Sequence, residues 1–473
     1  MSKARDLLKN TVIVSIGKIA TQFITFFLLP IYTAVLTSEE YGIVDLLNTL
    51  TSLFLPIATL QIEQGVFRYL IDCREEKEKQ TKIITTVFRF LIIQAAMYII
   101  IFSGISFFIK NDYKYFLAGN LLACMFSTIL LQICRGLGDN SKYAFGSFIS
   151  GVITVVLNVL FIVGFKLGAY GMLAATFIAN ILCATYILLS KKIYKYIKIK
   201  EYDKNILKDM IKYSVPLVPN MISWWVVDAS DRTIISTILG IGKNGIYSAA
   251  NKFTAVFTSL YSVFNLTWTE SASVNINSPD KDEFFSRILD VTLRFFGSLA
   301  IGIIAFMPFV FPILINQKFA EAYYQIPILM VGGMFNILVS FIGSIYVAKK
   351  ITKEIAKTSV LAATINIIIN LISIKWIGLY AASISTLIAY FSMFIYRYID
   401  SRKYVKLKVN KKLIISMLTV LATSIIVYYT QKTTLQIINA LLILIYAIVI
   451  NKTSVKFIWD NIRKKLIHKS EVA

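Results

Sequence analysis

Long apolar stretches punctuate this 473-residue chain, and 37 of its 49 Lys and Arg residues fall in every second gap between them. The alternate gaps hold only Lys110, Lys114, Lys166, Lys243, Lys318, Lys375 and Lys432. Lys18, Arg89, Arg232, Lys252 and Arg294 lie inside apolar stretches. Basic residues concentrate on the cytoplasmic side of membrane-spanning segments, so the alternation reads as a polytopic membrane protein with both termini in the cytoplasm. With 57% hydrophobic and only 16% charged residues, the chain carries more apolar surface than a water-soluble core of this length could hide. The net charge of +23 sits on loops beside the spans, where anionic membrane lipids attract it, and no nucleic-acid partner is expected. Of four cysteines, Cys124, Cys134 and Cys183 lie in apolar segments and Cys73 in a basic loop; they show no metal spacing and no disulfide partner. The first apolar stretch is too long for a cleavable signal and ends in Ser38, Glu39 and Glu40, so it is expected to remain as a span.

About 20 mostly apolar residues per helix are needed to cross a bilayer, and fourteen stretches qualify or come close. They run 11–36, 43–60, 83–109, 115–134, 143–165, 172–189 and 213–239, then 246–270, 288–315, 326–348, 359–374, 381–398, 413–429 and 435–450. The predicted fold class is an all-α integral membrane protein of about 14 transmembrane helices. Its expected domains are an N-terminal six-helix lobe over 1–189, a basic cytoplasmic linker over 190–212, a C-terminal six-helix lobe over 213–400, and two extra helices with a basic tail over 401–473. The two lobes repeat one another in sequence. Val35, Leu36, Gly42 and Ile43 recur as Ile238, Leu239, Gly245 and Ile246, and Phe88-Arg89-Phe90 as Leu293-Arg294-Phe295. Lys166, Gly168, Tyr170, Gly171 and Thr176 align with Lys375, Gly378, Tyr380, Ala381 and Thr386. An even number of spans per repeat makes both enter the membrane in the same direction, related by an axis along the membrane normal.

A charge at a helix centre costs roughly 2.5–3.5 kcal/mol on insertion scales, so charged residues within spans face a cavity, a partner or the interface. Ser15, Lys18, Gln22 and Thr25 share one face of the first helix. Asp45, Asn48, Ser52, Thr59 and Glu63 line the second, and Asn251, Lys252, Ser259 and Ser262 the eighth. Such stripes line a wet interior or pack helix against helix. Arg89 and Arg294 lie close enough to the cytoplasmic ends to snorkel to headgroups or to act as cavity cations, and Asp290 stands four residues before Arg294. Lys18, Arg232 and Lys252 lie deeper and are candidate anion ligands. The seventh helix carries Trp224, Trp225, Asp228, Asp231 and Arg232 in less than three turns. Asp228 and Arg232 are spaced to pair, which leaves Asp231 either as a carboxylate able to bind H+ or Na+ or as part of a self-compensated structural cluster.

Catalytic chemistry finds few materials. His468 is the only histidine, and there is no P-loop lysine motif, so neither a His-based triad nor a nucleotide-driven pump can be assembled. Asp280 and Asp282 fall in a loop too small for a catalytic domain. No enzyme activity, metal or cofactor is expected.

Two segments carry a family resemblance: Leu36-Thr37-Ser38-Glu39-Glu40-Tyr41-Gly42, and Asp231-Arg232-Thr233-Ile234-Ile235 continuing through Leu239-Gly240 and Gly245-Ile246-Tyr247-Ser248-Ala249-Ala250-Asn251-Lys252-Phe253. With fourteen spans in a six, six, two plan, the chain resembles the Wzx-type polysaccharide-biosynthesis flippases of the multidrug/oligosaccharidyl-lipid/polysaccharide exporter superfamily. The resemblance implies two lobes around a cationic central cavity in the bacterial cytoplasmic membrane. It implies translocation of undecaprenyl-pyrophosphate-linked oligosaccharide for an O-antigen, capsule or similar polymer, in company with a polysaccharide polymerase and glycosyltransferases. Lys18, Arg232, Lys252, Arg89 and Arg294 are then the candidate substrate ligands, Asp228, Asp231, Asp45 and Glu63 the candidate H+ or Na+ coupling groups, and Trp224, Trp225 and Trp268 candidate platforms for sugar. A lipid II flippase is the nearest alternative; a cation-coupled drug exporter and a glycan polymerase are further ones.

Overall fold

The computed structural model of the protein describes residues 26–452, and every element among them is helical. Lys18 and the rest of its stripe lie outside the described residues. Eleven described helices are long and apolar enough to cross a membrane. They are α2 (Ser38–Thr59), α4 (Lys77–Ser106), α5 (Lys114–Gly136), α6 (Asn140–Val159, prolonged by a π-turn over Leu160–Gly164) and α7 (Gly168–Ser190). The others are α11 (Lys281–Leu314), α12 (Ile326–Ala348), α13 (Thr352–Ile377), α14 (Leu379–Ser401), α15 (Lys411–Thr430) and α16 (Thr433–Ile450). Two more expected spans, α9 (Leu217–Ile238) and α10 (Ile241–Asn275), are full-length helices that fall short on apolarity. Asp228, Asp231 and Arg232 interrupt one, and Lys243, Lys252 and Glu270 the other. With the stretch from Thr11, of which only the end with α1 (Leu29–Val35) is described, these make up the fourteen.

The chain groups into two units, one of residues 1–252, 318–320 and 359–386, the other of residues 253–317, 321–358 and 387–473. In the first, α2 begins at a capping box. Thr37 Oγ1 accepts from the Glu40 N–H, and the Glu40 carboxylate accepts from the Thr37 N–H at 2.9 Å, satisfying two of the donors that every helix start leaves open. The helix ends where Leu60 and Gln61 take left-handed backbone angles (φ 52° and 56°). The chain then resumes as α3 (Ile62–Asp72), whose Ile62, Val66 and Leu70 are fully buried against α5. The turn between α5 and α6 carries Asp139, which caps α6 by accepting from the Lys142 N–H at 3.1 Å and pairs with Lys191 Nζ at 3.0 Å.

The basic interval 190–212, expected as a loop, is ordered. It forms two short 3-10 turns, Ile193–Tyr196 and Ile199–Glu201, followed by α8 (Lys204–Ser214). Asp203 caps α8 by accepting from the N–H groups of Asn205 (2.8 Å) and Ile206 (3.2 Å). Met210 and Ser214 pack against α3 at Gly65, where a Cβ would stand 2.6 Å from Ser214 Oγ. Two hydroxyls of α4 hold the turns down. Thr85 Oγ1 donates to the Tyr196 carbonyl (2.9 Å) and accepts from the Lys198 N–H (3.0 Å), while Thr86 accepts from the Asp203 N–H (3.0 Å).

A close backbone approach joins α2 to the start of α10, and it is reciprocal. A Cβ on Gly42 would lie 2.1 Å from the Ile241 carbonyl oxygen, and a Cβ on Gly245 would lie 2.0 Å from the Ser38 carbonyl oxygen. Ser38 and Gly42 occupy in the first repeat the positions of Ile241 and Gly245 in the second. A contact in which residue i meets the counterpart of j, and j the counterpart of i, is the signature of a two-fold relation, here between two parts of one chain.

In the second unit, α15 and α16 pack along α11, with Tyr428 stacked on Tyr323 at 4.2 Å and donating to its carbonyl at 2.7 Å. Arg397, only 2% exposed, spends its guanidinium on Thr358 Oγ1 (3.0 and 2.9 Å) and the Val339 carbonyl (3.0 Å), tying α14 to α13 and α12.

Two outcomes follow from these contacts. Gly42→Ala or Gly245→Ala must push backbone against backbone and should cost about 1–3 kcal/mol, read as a lowered melting temperature in detergent; Gly302→Ala, with nothing within 4 Å of its Cβ position, should not. Burial alone would raise the Asp139 carboxyl, but hydrogen bonds from the Lys142 backbone and the Lys191 ammonium outweigh it and hold the group below the usual carboxylate range. A depressed folded-state value gives stability that is present above the unfolded value and lost as pH falls. The melting deficit of Asp139→Asn should therefore be present at neutral pH and close below about pH 4.

Candidate functional site

Arg232 and Asp231 are adjacent on α9 and enter different surroundings. Arg232 turns to α2: its Nε stands 3.4 Å from Asp45 Oδ2, and its Nη1 donates to Thr49 Oγ1 at 3.2 Å. The Thr49 carbonyl accepts from the indole N–H of Trp225, which lies two helical turns before Arg232, at 2.9 Å. Asn244, at the start of α10, donates through Nδ2 to the Gly42 carbonyl (3.1 Å) and to Asp45 Oδ2 (3.4 Å). The glycine contact thus brings α10 near enough for one amide to reach the Asp45 carboxylate. Lys252, further along α10, interacts electrostatically with both Asp45 and Arg232. Arg232, Lys252 and Asp45 sum to one net positive charge, with the side chains of Arg232 and Asp45 retaining 24% and 11% of their exposure.

Asp231 is 3% exposed and lies among neutral polar groups. Its Oδ1 accepts from Asn370 Nδ2 at 2.8 Å; its Oδ2 accepts from the Tyr247 hydroxyl at 3.0 Å and from Thr386 Oγ1 at 2.5 Å. Thr386 accepts in turn from Asn366 Nδ2 at 3.2 Å, and Asn366 Oδ1 accepts from the Ser230 hydroxyl at 3.4 Å. Asn366 and Asn370 are fully buried and sit four residues apart on one face of α13. The Asn370 Oδ1 is buried with no hydrogen-bond partner among the described residues. One carboxylate, an orphaned amide oxygen and two hydroxyl oxygens form a donor set suited to a proton or a small hard cation.

The structure therefore brings together Asp45, Arg232 and Lys252, and gives Asp231 its own enclosure beside them. The other expected site residues lie elsewhere. Asp228 is exposed on α9. Glu63 is 2% exposed on α3, with Oε2 buried and unpartnered among the described residues. Arg89 stacks on the Tyr202 ring at 4.3 Å, which joins α4 to the basic linker. Arg294 pairs with Asp290 at 2.6 Å and donates to the Ile450 carbonyl at 3.1 Å, holding α16 to α11. Trp268, expected as a sugar platform, is a packing residue: it is 3% exposed, lies parallel to Phe341 at 4.5 Å and donates to the Phe341 carbonyl at 3.1 Å. Thr49, Asn244, Tyr247, Asn366, Asn370 and Thr386 were not anticipated as site residues. The available signal was the Asn366/Asn370 pair, two amides at helical spacing in an otherwise apolar span.

The profile of the family described as polysaccharide biosynthesis protein matches residues 7–268, more than half of the chain. The chain belongs to that family. It is also 23% identical over 423 residues to an uncharacterized membrane protein of Methanocaldococcus jannaschii, covering 82% of this chain and 96% of that protein. Among solved structures it is similar to the lipid II flippase MurJ in an inward closed conformation, with a TM-score of 0.69 and 16% identity across 94% of this chain and 100% of that one. It is also similar to the inward-facing form of a multidrug resistance MATE transporter of the MOP superfamily, with a TM-score of 0.66 and 14% identity across 82% and 98%. At these identities the likeness establishes the fold, that of multi-pass membrane transporters built from two pseudo-symmetric lobes.

Breaking the Asp45–Arg232 pair from either side strands a half-buried charge. Asp45→Ala and Arg232→Ala are each expected to destabilise the protein, and the double variant to lose less than their sum, by a coupling of about 0.5–3 kcal/mol in a double-mutant cycle.

Proposed function

We propose that this protein is a flippase that carries undecaprenyl-pyrophosphate-linked oligosaccharide from the inner to the outer leaflet of the bacterial cytoplasmic membrane, without enzymatic chemistry of its own. The observation that supports it most is the gathering of Arg232 and Lys252 around Asp45, on helices that otherwise run through hydrocarbon. A sugar head with a pyrophosphate cannot cross about 30 Å of hydrocarbon unaided, because its polar groups lose their hydration. Cations that are only partly neutralised replace some of that hydration for the pyrophosphate. Asp45 keeps their hold weak enough for release. Family membership supports the sugar-linked substrate, and Lys18 and the half-exposed Trp224 complete the set of groups assigned to it.

Asp231 is the coupling group in this reading. Its enclosure by Asn370, Thr386 and Tyr247 suits binding of H+ or Na+ next to the substrate cations. Anion export is also favoured by an interior-negative potential, by about 2.3 kcal/mol per charge per 100 mV when the charge crosses the whole field. The similarity to MurJ makes lipid II the second candidate substrate.

The test is the leaflet location of lipid-linked oligosaccharide in spheroplasts lacking this protein, read with an impermeant probe. Inward-facing intermediate is expected to accumulate, and Lys252→Ala should reproduce that state at unchanged protein level. Normal outward exposure with blocked elongation would overturn the transport reading in favour of polymerase or assembly work. Rescue of a strain depleted of its essential lipid II flippase would reassign the substrate.

A further inference from the structure

Two cavities of the first unit lie end to end on the same pair of helices. The first is an apolar groove of about 510 Å3 between α4, α5 and α7, lined by Phe88, Leu122, Phe126, Phe177, Ala184 and Leu188 among others. It reaches from Gly119 to Leu130 along α5 and from Phe177 to Leu188 along α7. Eleven residues of helix rise about 16 Å, which matches one leaflet of a hydrocarbon core about 30 Å thick. The second cavity, of about 490 Å3, is polar and lined by Lys77, Lys191, Lys192, Lys195 and Lys198 with Glu78, Glu201, Thr81 and Tyr196. Thr81 lies two turns before Phe88 on α4, and Lys191 follows Leu188 by three residues at the end of α7, so the basic pocket sits at the mouth of the apolar groove.

The pocket is built rather than a loose charge run. Ile193 is fully buried and Tyr196 is bonded to Thr85, which fix the turn that presents Lys192, Lys195 and Lys198. Lys192 adopts a left-handed backbone angle of 52°, a conformation that suits glycine better, at the position that aims its charge. The acidic members leave the balance positive. Glu78 is engaged by Lys82 at 3.1 Å and Lys191 by Asp139 at 3.0 Å, so Lys77, Lys192, Lys195 and Lys198 face Glu201.

We infer that this site binds one anionic phospholipid from the leaflet on the basic face, its acyl chain along the groove and its phosphate among the lysines. An acyl chain fits a groove one leaflet long, and clustered lysines beside a span attract anionic headgroups. Bound there, the lipid would bridge α4 and α7 to the ordered linker, away from Arg232 and Lys252, so the inference stands apart from the transport reading.

The test titrates the delipidated full-length protein with dioleoyl phosphatidylglycerol or dioleoyl phosphatidylcholine, counting retained lipid by native mass spectrometry. Phosphatidylglycerol should bind at least about tenfold more tightly, and salt should narrow the gap. Lys192→Glu/Lys195→Glu, two exposed changes that spare the fold, should erase the preference, and Ala184→Trp should weaken both lipids. Equal binding of the two lipids, or an unchanged preference in the charge-reversal variant, would overturn the inference. So would displacement of phosphatidylglycerol by inorganic phosphate, which would mark a soluble-anion pocket, or tighter binding of undecaprenyl phosphate, which would assign the site to the carrier lipid.

Discussion

The contact between Gly42 and Gly245 is the constraint on which the candidate site depends. Neither position can bear a side chain, because each Cβ would fall about 2 Å from a carbonyl oxygen of the other helix. Backbones this close let a short amide, Asn244, span from α10 to the Asp45 carboxylate. Asp45 then stands where Arg232 can reach it, and Lys252 follows two turns along the same helix. Close glycine crossings are a usual means of bringing membrane helices together, since lipid tails provide no hydrophobic drive for helix pairing. Here the crossing also sets the charge arrangement.

Division of labour between neighbours is the second theme. Arg232 keeps 24% of its side-chain exposure and pairs with Asp45; Asp231, next in sequence, is buried and accepts from neutral donors. On a helix, adjacent residues point about 100° apart, so one turn of α9 serves two environments. A cationic side chain and an enclosed carboxylate thus stand side by side on one helix.

Much of the architecture was legible in the chain because lipid imposes a strong pattern. Apolar length, the alternation of basic gaps and the repeat of Gly42 as Gly245 all survive in a linear reading. Partners distant in sequence do not. Asp45 and Arg232 are separated by most of the first lobe, so no local spacing joins them. Trp268 reads as a candidate sugar platform until Phe341 is seen to cover it. The ordered linker was missed because its lysines dominate the composition, although Ile206 and Met210 at helical spacing record the face that α8 buries. Arg89 and Arg294, equivalent in the repeats, each brace a neighbouring element, one through an aromatic ring and the other through a carboxylate and a carbonyl.

The hydrogen bonds that run from Asn366 through Thr386 to Asp231 both donate toward the carboxylate. Such a row has a direction, and that direction holds only while Asp231 is an acceptor. A proton arriving on Asp231 makes it a donor, and a hydroxyl can turn to receive it whereas an amide cannot without flipping end for end. Thr386 and Tyr247 are the members free to turn. Thr386 sits on α14 and Tyr247 on α10, so the charge state of one carboxyl group on α9 is read by hydroxyls on two other helices. The enclosure is in that sense a sensor as well as a container, and what it reports is whether the Asp231 carboxyl beside Arg232 carries a proton.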